Sequence, residues 1–264
     1  MKQIASRDNA TFKHLRALSE DARARRESGT TLLDGAHLVG VAIERGAHLR
    51  RIAVTARSLD NPEVFNLLSL ADPTCERLEL SDSLLHILSP VDAANGIVAE
   101  VEIPPPRGDA EEGDILVLAG VQDAGNLGTL LRTAAAAGIV RAWLSPDCAQ
   151  VWSPKVLRAG MGAHFYLDIA DRVEISDRLC EFSGQIVATA LADRAQSIYA
   201  LDLSKPTAWI FGSEGQGVPK PLLERADALA LIPMPGGMES LNVAAAAAVC
   251  LFEQVRQRGL HSCS

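Results

Sequence analysis

Three short stretches of this 264-residue chain gather the residue types that could do chemistry. Asp123-Ala124-Gly125-Asn126-Leu127-Gly128 leads into a helical pattern over Thr129 to Ala137, and Arg132 stands just inside it. Phe211-Gly212-Ser213-Glu214-Gly215-Gln216-Gly217 sets one carboxylate among three glycines directly after an apolar run. Ile232-Pro233-Met234-Pro235-Gly236-Gly237-Met238-Glu239-Ser240-Leu241-Asn242-Val243 opens an alanine-rich helix, which Ser240 or Asn242 can cap. Glycine lets a ligand press against main-chain amides and carbonyls, and Glu214 could accept hydrogen bonds from a ligand or from loop amides. Each stretch also has a plain structural reading: a surface arginine on a helix, a glycine turn with a solvated Glu, a proline-glycine loop with a cap.

Several familiar chemistries fail on spacing. Gly120 and Gly125 begin a phosphate-binding P-loop, but Asn126-Leu127 stands where Lys-Ser/Thr is required. The dinucleotide pattern GxGxxG and the GxSxG nucleophile elbow are both missing, which argues against a nicotinamide oxidoreductase and a serine hydrolase. The six histidines (His14, His37, His48, His86, His164, His261) have no metal-ligand spacing. The five cysteines (Cys75, Cys148, Cys180, Cys250, Cys263) form no CxxC pair, so reduced thiols are expected and no metal.

The elements that must position these loops alternate. Before residue 104 a polar helix is expected over 9–27, strands at 31–33, 52–54, 78–80 and 96–101, and helices over 36–45, from Pro62 and from Asp82. Past it, Ile115-Leu116-Val117-Leu118 reads as a strand buried on both faces, followed by the first loop, a helix from Thr129 and a strand over 139–144. Further strands are expected at 186–188 and 209–211, and a closing helix over 242–257. This βαβ alternation predicts an α/β fold with a parallel sheet, whose ligands gather at the carboxyl ends of strands. The run Ile103-Pro104-Pro105-Pro106 and the charged stretch after it mark a junction, giving domains 1–103 and 114–264 with a linker over 104–113.

Hydrophobic residues make up 48% of the chain, enough for a substantial core, and no window approaches a membrane span. The first twenty residues have no apolar core, so no signal peptide is read and a cytoplasmic protein is expected. The net charge of −8 disfavours nucleic acid, yet residues 1–60 hold 11 Lys and Arg against 7 Asp and Glu. Lys13, Arg16, Arg23, Arg25 and Arg26 are the candidates for RNA contact, with solvated-surface roles as the alternative.

Taken in order, the three loops resemble the motifs of the SpoU/TrmH branch of the SPOUT methyltransferases. Asn126, Gly128 and Arg132 match its Asn-x-Gly-x-x-x-Arg; Gly212 to Gly215 match its Gly-Ser-Glu-Gly; Ile232-Pro233-Met234 and Ser240-Leu241-Asn242-Val243 match its third motif. Arg158 to Phe165 are similar to the same family, and the family's usual proline after Asp123 is Ala124. The front domain, through Leu33-Asp34-Gly35-Ala36-His37-Leu38-Val39, resembles an L30e-like substrate-binding domain, with Asp34 where that family often has Glu.

The resemblance implies a deep trefoil knot in the second domain, a homodimer with its active site near the subunit interface, and S-adenosylmethionine as cofactor. Gly212, Ile232, Met234 and Leu241 would hold that cofactor, and Arg132, Asn126, Glu214 and Ser240 would form the catalytic group. The implied reaction is 2′-O-methylation of a ribose in RNA, with 23S ribosomal RNA first. The alternatives are transfer RNA, or a non-catalytic RNA-binding or assembly protein on the same fold. Because an arginine guanidinium is ordinarily always protonated, Arg132 is open to two roles: a base in an unusual site, or a cation stabilising a developing alkoxide.

Overall fold

A computed structural model describes residues 1–89, 96–107 and 113–259; residues 108–112 of the expected linker, His261 and Cys263 lie outside them. The described chain falls into two units. One comprises Met1–Pro105 with Trp152–Phe165; the other comprises Pro106–Val151 and the described residues from Tyr166 onward. Residues 152–165, expected within the second domain, therefore group with the first.

The first unit runs β1 (Lys2–Ile4), α1 (Ala10–Glu20), α2 (Ala22–Ser28), β2 (Thr30–Asp34), α3 (Ala36–Glu44), β3 (Leu49–Thr55), α4 (Pro62–Leu70), β4 (Glu76–Leu80), α5 (Asp82–Leu88) and β5 (Ile97–Glu102). Its sheet has the order β1-β4-β3-β5-β2, parallel across β1-β4-β3 and antiparallel across β3-β5-β2. The single polar helix expected over 9–27 is two. Asp21 adopts an extended φ/ψ, closes α1 and caps α2 by accepting from Arg23 N, so the backbone turns there. Phe12, Leu15 and Leu18 recur at helical spacing on α1 and are buried against Leu32, Ala53, Leu78 and Val98 of the sheet.

One buried charge organises the sheet's centre. The Glu100 side chain is fully buried and takes hydrogen bonds from His14 Nε2 (2.9 Å), Thr30 Oγ1 (2.9 Å) and Arg51. Burial alone would raise its carboxyl; these donors outweigh burial and hold it below the usual range. The expected RNA contacts need one correction. Arg25 is buried and donates to the Leu18 carbonyl at 2.6 Å, so it stitches α2 to α1 rather than reaching solvent. Lys13, Arg16 and Arg23 pair on the surface with Asp8, Glu20 and Glu27, contacts weak enough to yield to a phosphate.

The second unit contains β6 (Ile115–Ala119), α6 (Ala124–Ala136), β7 (Arg141–Leu144), β8 (Asp168–Ala170), α8 (Ile175–Glu181), β9 (Gln185–Thr189), β10 (Gln196–Ser197), β11 (Thr207–Gly212), α9 (Lys220–Arg225), β12 (Ala228–Leu231) and α10 (Val243–Gln257); α7 (Pro154–Gly160) lies in the excursion to the first unit. All strand pairs are parallel, in the order β10-β12-β9-β11-β6-β7-β8. Every residue of β6 and β11 is buried, as their continuous apolar runs predict for central strands covered on both faces.

α10 packs along α6 and is locked to the sheet by satisfied polar groups. Gln254 Oε1 accepts from the buried Trp209 indole at 2.6 Å, and Gln254 Nε2 donates to Asp114 Oδ1 at 2.9 Å. Arg256 and Gln257 hold the Glu253 carboxyl down to about 2. Cys75 and Cys250 are buried, and burial pushes the Cys250 thiol up to about 12, which suits an inert core residue. Among the described residues no helix is long and apolar enough to cross a membrane.

Candidate active site

The carboxyl ends of β9, β11 and β12 open onto one crevice with a cavity volume of about 720 Å³. Its walls are Thr189 to Ala192 from the end of β9 onward, Gly212 to Val218 from the end of β11, Leu231, Ile232 and Met234 from the end of β12, and Glu239 to Val243 leading into α10. This is the edge at which an open parallel sheet collects ligands. The volume falls within the roughly 300–1,000 Å³ common for sites that enclose a small molecule.

The loop after β11 is built by close approach of main chain. Ser213 and Gly217 exchange N–H···O=C bonds of 3.2 and 2.9 Å, and Gly217 takes φ +69° to close the turn. A Cβ on Gly212 would lie 2.0 Å from Gly217 C, 2.1 Å from its oxygen and 2.2 Å from Val218 N. Only glycine fits, because the obstructing atoms are backbone and cannot rotate away. The hairpin pushes Glu214, Gly215 and Gln216 outward, and all three line the crevice. Past Leu231 the chain leaves the sheet, and Gly237 N donates to the Met234 carbonyl at 3.3 Å to close a turn with Gly237 at φ +76°.

The stretch Asp123 to Gly128, expected as a loop, is instead the first turn of α6. Asp123 takes an extended φ/ψ and its Oδ1 accepts from Asn126 N at 2.8 Å. The cap fixes Asn126 in the opening turn, and its amide bridges the other two motifs. Asn126 Nδ2 donates to Glu214 Oε1 at 2.7 Å, and Asn126 Oδ1 accepts from Asn242 Nδ2 at 2.9 Å. Asn242 in turn caps α10 through its Oδ1, which accepts from Ala244 N at 2.9 Å. One hydrogen-bonded chain thus joins the first turns of two helices to the glycine hairpin. It leaves Glu214 Oε2 without a hydrogen bond among the described residues.

Six of the eight candidate catalytic and cofactor residues line the crevice: Gly212, Glu214, Ile232, Met234, Ser240 and Leu241. Asn126 joins them through Glu214. Arg132 does not line it; the side chain is exposed on α6, six residues along from Asn126, or about 9 Å of helix rise. Sequence reasoning read Asn242 as a helix cap and as part of the third motif without naming it a site residue, and it missed Thr189 to Ala192. The latter directly follow a strand that the sequence did predict, and that position was the available signal. Among the described residues no group of three or more His, Cys, Asp or Glu could hold a metal ion.

Comparison with known proteins places this geometry. Residues 114–252 match the SpoU rRNA Methylase family, and residues 9–99 match the MRM3-like substrate binding domain. An uncharacterized tRNA/rRNA methyltransferase of Synechocystis is 36% identical, across 97% of this chain and 94% of that protein. The 23S rRNA (guanosine(2553)-2′-O)-methyltransferase RlmP of Bacillus subtilis is 31% identical, across 96% and 98%. An AdoMet-bound rRNA methyltransferase from Sinorhizobium meliloti superposes with a TM-score of 0.86 at 30% identity, covering 99% of each chain. With a family model spanning more than half its length and relatives matched nearly end to end, the chain belongs to the SpoU rRNA methylase family.

Proposed function

We propose that the protein methylates a ribose 2′-hydroxyl of ribosomal RNA, with S-adenosylmethionine as donor, 23S RNA as target and the cytoplasm as its place of action. The observation that carries this reading is the Glu214–Asn126–Asn242 chain, which gathers the three motif loops at one glycine-lined crevice. The ribosomal target is supported by RlmP, whose named substrate is 23S rRNA and which matches this chain almost end to end.

The residues present fit the cofactor. Gly212 brings bare main chain to the crevice wall, Ile232, Met234 and Leu241 supply apolar surface for a flat base, and Glu214 offers a free carboxylate oxygen. When bound, S-adenosylmethionine supplies an electrophilic methyl on a sulfonium, so the hard chemistry is the cofactor's. The protein's own work is placement and charge. Asn126 fixes the Glu214 carboxylate, and Asn242 fixes Asn126. Ser240 lines the crevice beside them and adds a hydroxyl that can donate or accept.

Arg132 stabilises the oxygen of the attacking ribose as its proton leaves. Since it stands outside this chain's crevice, that role belongs with a homodimer, as the family resemblance implies; half-exposed Phe252 on α10 supports an interface near this helix pair. The knotted threading implied by the same resemblance belongs to this reading.

Mapping 2′-O-methyl sites in RNA from cells with and without the gene tests the target. One ribose of 23S rRNA is expected to lose its methyl when the gene is absent. A loss confined to transfer RNA would replace the target, and an unchanged map would refute the reading.

A further inference from the structure

The crevice lies wholly within the second unit and carries formal charge of one sign. Glu214 and Glu239 stand on its walls, and among the described residues no Lys, Arg or His does. Asn126 Nδ2 occupies Glu214 Oε1 at 2.7 Å and leaves Oε2 open. Glu239 has neither a hydrogen bond nor an ion pair among the described residues. The loop that carries it is fixed on both sides. Gly237 N donates to the Met234 carbonyl at 3.3 Å before it, and Asn242 Oδ1 accepts from Ala244 N at 2.9 Å and Ala245 N at 3.3 Å after it.

The positive groups around the crevice are engaged elsewhere. The first amides of α10 would offer its positive end beside Val243, but the Asn242 cap takes them up. Arg194, two residues past Ala192, stands outside the walls and donates to the Leu223 carbonyl at 2.7 Å. Lys220 pairs with Glu224 at 3.7 Å. Two carboxylates without a countercharge favour a ligand of net positive charge over a neutral one of similar shape.

The donor and its spent form differ in that respect. S-adenosylmethionine carries one net positive charge, since its sulfonium and ammonium exceed its single carboxylate. On methyl transfer the C–S electron pair stays on sulfur, and the ribose oxygen gains the methyl carbon and gives up its proton to solvent. The remaining S-adenosylhomocysteine is a thioether with no net charge.

We propose that Glu239 is a specificity-determining residue that reads this charge, with the open oxygen of Glu214 adding to it. The crevice thereby holds the sulfonium donor more tightly than the thioether product and lets the product go. The proposal rests on the reading that this crevice holds the cofactor.

Calorimetry on the full chain tests it with three ligands: S-adenosylmethionine, S-adenosylhomocysteine and sinefungin. Sinefungin bears an amine on carbon where the donor has its methylated sulfur, so it keeps the net charge and transfers nothing. At low salt the wild type is expected to bind the two cationic ligands about fivefold more tightly than the thioether, the size of one exposed charge pair. That preference is expected to shrink toward parity in about 1 M salt, where screening acts within about 3 Å. Glu239→Gln, close in shape, is expected to weaken both cationic ligands about fivefold and to change the thioether less than about twofold. Glu239→Asp keeps the charge and is expected to keep the preference, and with the wild-type salt series it decides the matter should Glu239→Gln fail to fold. Equal weakening of all three ligands in Glu239→Gln would mean that the residue only shapes its loop, and overturns the proposal. So does a wild type that binds the thioether as tightly as the donor at low salt. A wild-type chain that binds none of the three overturns the reading of the crevice instead, and the proposal with it.

Discussion

Arg132→Ala is expected to slow methyl transfer by about 10³-fold or more while S-adenosylmethionine still binds normally. The two halves of this expectation have separate causes. Arg132 is exposed on α6, lines no part of the crevice and makes no hydrogen bond or ion pair among the described residues. Alanine is the best helix former, so the substitution costs the fold almost nothing. The crevice wall proposed to hold the cofactor, with Gly212, Ile232, Met234 and Leu241, is untouched. What is lost is the cationic fork proposed to act at the ribose oxygen, whose value would come only as negative charge develops there. Single-turnover rates and equilibrium cofactor binding on the same variant separate these effects. A rate within a few fold of wild type would remove Arg132 from the mechanism. Loss of cofactor binding would show that it acts on the fold of the crevice instead.

Gly212→Ala is expected to be the most damaging single methyl group in the second unit. The new carbon would stand about 2 Å from the carbonyl group of Gly217 and the amide of Val218. Relief requires the hairpin to open, which breaks the paired Ser213–Gly217 bonds and displaces Glu214 from Asn126. Overpacking in a tight site costs about 1–3 kcal/mol, and this contact belongs at the upper end because only backbone can move. Cofactor affinity is expected to fall at least about a hundredfold, the equivalent of roughly 3 kcal/mol. Thermal melting and calorimetry measure both. The contrast is Gly215→Ala on the same hairpin: a Cβ there meets nothing within 4 Å, and φ is not in the left-handed region. Equal losses in the two variants would mean that the loop, not the close approach at Gly212, is what matters.

The sequence showed the sheet through its apolar runs. β6 and β11 were legible because strands covered on both faces admit almost nothing polar. Shorter strands such as β12, Ala-Leu-Ala-Leu, carry too few residues for a pattern to rise above a helical alternative. The first motif misled in a specific way: two glycines suggested a loop, whereas the Asp123 cap was strong enough to start α6 through them. The crevice walls were legible as glycine turns after strands. The bridge that unites them was not, since Asn126 meets Glu214 88 residues away and Asn242 116 residues away. No local spacing encodes such contacts; only the resemblance tied the loops together. Arg25 shows the converse, a charge expected at the surface that is buried to satisfy a helix-end carbonyl. The excursion of residues 152–165 left no compositional mark, because its partners Thr31 and Asp34 lie more than a hundred residues earlier.

The crevice is proposed to deliver a methyl group from S-adenosylmethionine to a ribose oxygen. Incubating the purified protein with methyl-labelled S-adenosylmethionine and unmodified 23S rRNA, then digesting the RNA to nucleosides for mass spectrometry, tests it most directly. Label in a single 2′-O-methylated nucleoside is the predicted result. Label on a base, or RNA that stays unlabelled while the protein holds the cofactor, would contradict it.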